Sequence, residues 1–192
     1  MSAPEKRALD PLPDSLRSFL EKSCGLPAKA FRSVTAPDLP ESARHLLAHD
    51  RDMTSTLSRH HGGSLRVDIL RQETRDETYL REVYLRLQPG DTVVEYGVIA
   101  ISWKLFTEQQ REAIGRGSGP LGGLLHEFRV PFTCSPAAFF AVAANLIPRL
   151  STGRREDAEC YGRYARLATP AGAILAWVVE ILPLAPATLC LP

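Results

Sequence analysis

Two ionisable side chains stand where the pattern around them leaves no place for water. Residues 78–87, TYLREVYLRL, read as a strand, which puts Tyr79, Arg81, Val83, Leu85 and Leu87 on one face and Thr78, Leu80, Glu82, Tyr84 and Arg86 on the other. The first face is apolar except for Arg81. A guanidinium cannot shed its proton to escape burial, so an anion is expected to meet Arg81 inside the fold. The second side chain is Glu180, the one ionisable group in residues 173–182, AILAWVVEIL, a run apolar on both faces of a strand. Either Arg81 and Glu180 pair with each other, or both line a pocket for a polar ligand. The pattern alone leaves both open.

Other chemistry-bearing residues are less pointed. His45 and His49 share a helix face at i and i+4, but no further ligands lie nearby, so a surface pair is expected and no metal site. His60 and His61 before Gly62-Gly63 mark a helix C-terminus. Cys24, Cys134, Cys160 and Cys190 contain no C-x-x-C pair and read as reduced, mostly buried thiols. The loop GRGSGPLGG at 115–123 lacks both the P-loop and the dinucleotide glycine patterns, so no nucleotide is expected there. A hinge, or a close backbone approach to a ligand at Pro120, Leu121 and Gly122, fits it better.

With 192 residues the chain can hold one full-sized core. Lys and Arg number 23 against 22 Asp and Glu, which provides no electrostatic footprint for nucleic acid or an anionic membrane surface. The start, MSAPEKRALDPLP, has no apolar core of a secretory signal, so the expected location is the cytoplasm. The apolar tail at 171–191 is interrupted by Glu180, Pro183 and Pro186, which argues against a membrane span. The expected partner is a small molecule, and the expected state a monomer.

The elements that must position these residues follow in order. Asp14 is expected to cap a helix through Leu16, Phe19 and Leu20 that ends at Gly25, and residues 26–37 read as a linker. Asp38 opens a second helix with Leu46 and Leu47, and Asp52 caps a third with Met53 and Leu57 inward. Residues 64–71 form a half-buried strand, and the Arg81 strand and residues 92–102 make a hairpin across the turn at 88–91. Thr107 and Gln110 make a capping box for a helix to Gly115. Ser135-Pro136 is expected to start a broad-faced helix through Phe139, Phe140, Val142, Ala143, Leu146 and Ile147, followed by a charged loop at 149–159. Residues 161–168 and the Glu180 strand close the chain as a hairpin. The fold class is α+β, with an antiparallel sheet.

The order of five short motifs, HDRDMT leading into LRVDILR, then YLREV, GPLGGLL, YGRYARL and WVVEILP, resembles the chorismate pyruvate-lyase family over roughly residues 46–127 and 158–184. The resemblance implies a single antiparallel sheet with helical flaps over an internal ligand cavity. It divides the chain into an N-terminal extension with one helix, 1–40, and a chorismate lyase-like domain, 41–192. It further implies a cofactor-independent carbon–oxygen lyase that converts chorismate to 4-hydroxybenzoate and pyruvate. Arg81 would hold the ring carboxylate, Glu180 the ring hydroxyl, Leu121 would supply a backbone contact and Met53 an apolar wall. Arg81 and Glu180 would be the catalytic pair.

Tyr161 and Tyr164 depart from the family pattern, which has Trp and a second arginine at these positions. Residues 128–157 are longer than in the compact bacterial enzymes. Arg163 is a candidate for the enolpyruvyl carboxylate, with a surface salt bridge as the alternative. The competing functional expectation is a non-catalytic domain of the same fold that binds an aromatic acid. A further rival is a structural relative in which Arg81 and Glu180 only pair.

Overall fold

The computed structural model describes residues 12–147 and 158–183, and the expected loop at 149–159 falls largely outside them. Seven strands, Phe31–Val34 (β1), Ser64–Arg75 (β2), Thr78–Gln88 (β3), Val93–Ser102 (β4), Thr133–Ala143 (β5), Glu159–Ala168 (β6) and Ile174–Ile181 (β7), form one sheet. Its order is β1-β5-β6-β7-β4-β3-β2. Every pairing is antiparallel. The helices are Asp14–Lys22 (α1), Glu41–Leu47 (α2), Met53–His61 (α3), Glu108–Gly115 (α4) and Leu121–Glu127 (α5). The fold is therefore α+β, a single antiparallel sheet with helical flaps over a cavity.

Helix α1 covers one face of the sheet. Its Leu16, Phe19 and Leu20 are buried in a cluster with Leu80, Tyr84, Tyr96, Phe140, Tyr164 and Val179. Each such side chain contributes about 1.5–3 kcal/mol when taken out of water. The opposite face carries α3, α4 and α5 over Tyr79, Val83, Leu85, Ile99 and Val178. Strand β3 is thus buried on both faces, and its second face holds polar groups that find partners there. Tyr96 donates to Glu82 at 2.8 Å, and Arg86 donates to Asp68 at 2.5 Å.

Several expected elements hold, with local reasons. Asp52 caps α3 by accepting from the Ser55 N–H at 2.8 Å, and α3 ends at His61 before Gly62, whose φ of 69° is the left-handed conformation that glycine takes freely. The Thr107–Gln110 capping box opens α4. The β6–β7 hairpin turns at 169–172.

Five readings are corrected. Ser135-Pro136 does not start a helix: residues 133–143 are strand β5, buried by sheet neighbours and by clusters on both faces, so its apolar run shows no period-2 alternation. Pro136 is tolerated at a bulge, in the stretch of β5 that β1 does not reach, where no ladder N–H is required. Residues 26–37 are not simply a linker, since Phe31–Val34 pairs with β5 as an edge strand. Asp38 ends a 3-10 turn that it caps with Thr35, and α2 starts only after Pro40. Because α2 stops at Leu47, His49 lies beyond the helix and does not share a face with His45. Asp14 is the first residue of α1, with Pro13 in the capping position. The tail read against a membrane span holds β7, and among the described residues no helix is long and apolar enough to cross a bilayer.

Gly162 on β6 is a close approach that the core depends on. A Cβ there would lie 2.4 Å from the Glu180 backbone oxygen and 2.5 Å from the Phe140 ring. Gly162→Ala is expected to cost at least ~2 kcal/mol, a visible fall in Tm. Gly115→Ala, in helix α4 with nothing within 4 Å of the new methyl, is expected to raise stability by roughly 0.5–1 kcal/mol in the same thermal melts.

Candidate functional site

A cavity lies between the sheet and the first turns of α3 and α5. Its floor is Arg81, Val83 and Leu85 of β3, Glu95 and Ile99 of β4, Leu167 of β6, and Val178 and Glu180 of β7. Its roof is Asp52, Met53 and Thr54 at the start of α3 with Pro120, Leu121 and Gly122 at the start of α5. The floor residues on each strand are an even number apart, as side chains on one face of a sheet must be. Four residues singled out from the sequence, Met53, Arg81, Leu121 and Glu180, therefore line one cavity.

Arg81 does not pair with Glu180. Its side chain is 0 % exposed, its Nη1 donates to the Ile114 carbonyl at 3.0 Å, and its Nε and Nη2 are buried without a partner. Burial pulls the guanidinium down to about 10, which still leaves it charged at neutral pH. Nε and Nη2 lie side by side at the wall of the cavity, in the geometry from which one carboxylate can accept from both.

Glu180 is held by Arg163, directly opposite on β6, whose Nε donates to Glu180 Oε2 at 2.5 Å. The surface salt bridge considered for Arg163 is instead a buried one, with Arg163 0 % exposed. Arg163 stands beside the cavity, on the same face of the sheet as Glu180, and is not among the lining residues. Its remaining N–H groups reach the carbonyls of Leu47, His49 and Arg51 at 2.8–3.0 Å and the Cys134 sulfur at 3.9 Å. One side chain thus ties the loop before α3 to the sheet and compensates Glu180. Burial pushes the Glu180 carboxyl up, and the Arg163 charge opposes that push. Burial, and then the Arg163 charge, holds the His49 imidazole below its ordinary range.

Glu95 is the functional group that the sequence reading passed over. It is 3 % exposed, and its Oε2 is buried without a partner. Burial, and next the Glu180 charge, raises its carboxyl well above the ordinary range. The signal was present: on β4, Glu95 shares a face with Ile99 and Ile101, the same anomaly that marked Arg81 on β3. Asp52, expected only as a cap, also faces the cavity and contacts His126 of α5 at 3.2 Å, so it joins the two roof helices.

The two roof helices approach closely. A Cβ on Gly122 would lie 2.6 Å from Asp52 Oδ1, so glycine is what lets α5 approach α3. The cavity volume is about 30 Å³, well below the ~150 Å³ cavity that accepts benzene. A ring-sized ligand needs more room, and the α3 and α5 termini are the parts that would provide it.

No protein-family model matches the chain, and no curated protein does. Among solved structures, the chain is similar to the effector domain of PhnF from Mycobacterium smegmatis, with TM-score 0.53 and 10% identity over 69% of this chain and 88% of that one. It is likewise similar to a structure of PhnF from the same organism, with TM-score 0.51 and 10% identity over 69% of this chain. It spans 64% of the length of that PhnF structure. At such identity the likeness is one of fold: the chain shares the chorismate lyase-like architecture of these effector domains.

Three stability measurements check this account of the buried charges. In ligand-free protein, Arg163→Met should lose ~3–5 kcal/mol in denaturant unfolding, because it strands the Glu180 carboxylate. Arg81→Met removes an uncompensated charge and should instead gain ~1–3 kcal/mol. For Glu95, a carboxyl raised in the folded state contributes stability that is intact below the unfolded pKa and is lost as pH rises toward the folded value. The Tm advantage of Glu95→Gln over wild type should therefore widen from pH 5 to pH 8.

Proposed function

We propose that the cavity binds a small ring carboxylic acid, with the carboxylate on Arg81 Nε and Nη2 and an oxygen substituent toward Glu180. The observation that carries this reading is the fully buried Arg81 guanidinium with two unpartnered N–H donors on a cavity wall. Met53 and Leu121 would bracket the ring from the roof, and Val83, Ile99 and Val178 would support it from the sheet. Arg163 would act from the side of the cavity, by keeping Glu180 ionisable and the α3 loop seated.

The finer reading is chorismate pyruvate-lyase activity, supported by the motifs YLREV, GPLGGLL and WVVEILP meeting at one cavity. In that reaction the ether C–O bond to enolpyruvate breaks, the ring hydrogen beside the hydroxyl leaves as a proton, and enolpyruvate takes up a proton to become pyruvate. The ring becomes aromatic, so a protein needs mainly to hold the reactive pose and supply a proton-transfer group. Glu180 is suited to orient the hydroxyl and assist that transfer. A second reading, ligand binding without turnover, is favoured by the likeness to a domain described as an effector domain.

The two are separated by incubating purified protein with chorismate, without added metal, and following 4-hydroxybenzoate and pyruvate. Both products in equal amounts support the lyase. Saturable binding of 4-hydroxybenzoate without turnover supports the binding domain, and the absence of both turnover and binding contradicts the site and favours a structural relative. Arg81→Ala should abolish turnover and binding alike. Arg66→Ala, whose partners Asp68 and Asp91 lie away from the cavity, should leave both near wild type.

A further inference from the structure

Once Arg163 and Glu180 have compensated each other, one carboxyl on the cavity floor has no cation of its own. Glu95 is buried with a free Oε2, and no Lys or Arg pairs with it among the described residues. Its position follows from the register. Arg81 lies opposite Ile99, Glu180 opposite Gly97, and Glu95 two residues further along the same face of β4. Gly97 provides the room: a Cβ there would lie 3.2 Å from Glu95 Oε1 and 3.1 Å from a Val83 methyl. The Glu95 carboxyl thus reaches back over Gly97 to the row of Glu180. That row is two residues along β4 from the row of Arg81, about 7 Å at the rise of a strand. This is the reach of a six-membered ring carrying a carboxylate at one end and an oxygen at the other.

We propose that Glu95 is a specificity-determining residue, hydrogen-bonding the oxygen substituent at the end of the ring opposite the carboxylate. The assignment deepens the ring-acid reading and rests on it. Glu180 has one oxygen engaged by Arg163 and is suited to accept a hydroxyl proton. Glu95, buried beside that second carboxyl, carries its own proton and donates to the same oxygen. A ring bearing a hydroxyl satisfies both groups, whereas a ring with hydrogen at that position leaves the Glu95 donor idle in a dry site. Discrimination between such ligands comes from that unpaired polar group.

Calorimetric titration of the full chain with 4-hydroxybenzoate and with benzoate tests the assignment, using wild type, Glu95→Gln and Glu95→Leu. Wild type should favour 4-hydroxybenzoate by roughly 10- to 100-fold, the worth of two net hydrogen bonds, one to Glu180 and one from Glu95. Glu95→Gln keeps a donor and should preserve that ratio. Glu95→Leu should lower the ratio by roughly 3- to 10-fold, to what Glu180 alone supports, without weakening benzoate, a change that a purely structural role would not produce. A wild-type ratio retained in Glu95→Leu would overturn the assignment while leaving the Arg81 site standing, as would equal affinity for the two acids in wild type. Wild type that binds neither acid would overturn both.

Discussion

Among the described residues, the cavity side of the sheet holds a complete charge pair, Arg163 with Glu180, and a cation left incomplete, Arg81. Arg163 and Glu180 face each other across β6 and β7, and every donor of Arg163 is occupied by protein. Glu180 is thereby withdrawn from Arg81, which was its other available partner in the sequence. Arg81 is left with a carbonyl on one nitrogen and nothing on the other two. Taking a guanidinium out of water costs several kcal/mol unless its N–H groups are met, and the proposed carboxylate ligand would meet those of Arg81 on β3, one strand in from the sheet edge.

The same constraint explains the arrangement around the cavity. Sheet strands hold the charged groups at fixed spacing, while the parts that must move are helix termini. Met53 and Leu121 begin α3 and α5, which meet through Gly122 against Asp52 and through the Asp52–His126 contact. A rigid charged floor under a roof of two helix ends suits a ligand recognised mainly by its carboxylate. The fold likeness to an effector domain and the motif likeness to a lyase both fit that division, since binding requires the floor and turnover adds only proton handling.

Much of this was legible in the sequence because it is written in local alternation. Arg81 and Glu180 were conspicuous as single charges in apolar strands, and Asp52, Thr107 and the Gly62 turn carried their caps and stop signals within a few residues. What was not legible depends on neighbours far away in the chain. Strand β5 lies in the sheet interior with apolar clusters on both faces, so its FFAV run lost the period that identifies a strand, and Pro136 suggested a helix start where it only marks a bulge. Arg163 sits in a sequence that looks half-polar, YGRYARL, and only the sheet order, which puts β6 between β5 and β7, reveals that it is buried. Glu95 was detectable by the reasoning that found Arg81 but was masked by its role in a plain hairpin partner strand.

The most direct measurement is a crystal structure of the protein grown with saturating 4-hydroxybenzoate. The account predicts a ring between Met53 and the sheet, with its two carboxylate oxygens within hydrogen-bonding distance of Arg81 Nε and Nη2 while Arg163 keeps Glu180. An empty cavity at saturation, or Arg81 turned to pair with Glu180 or Glu95, would contradict it.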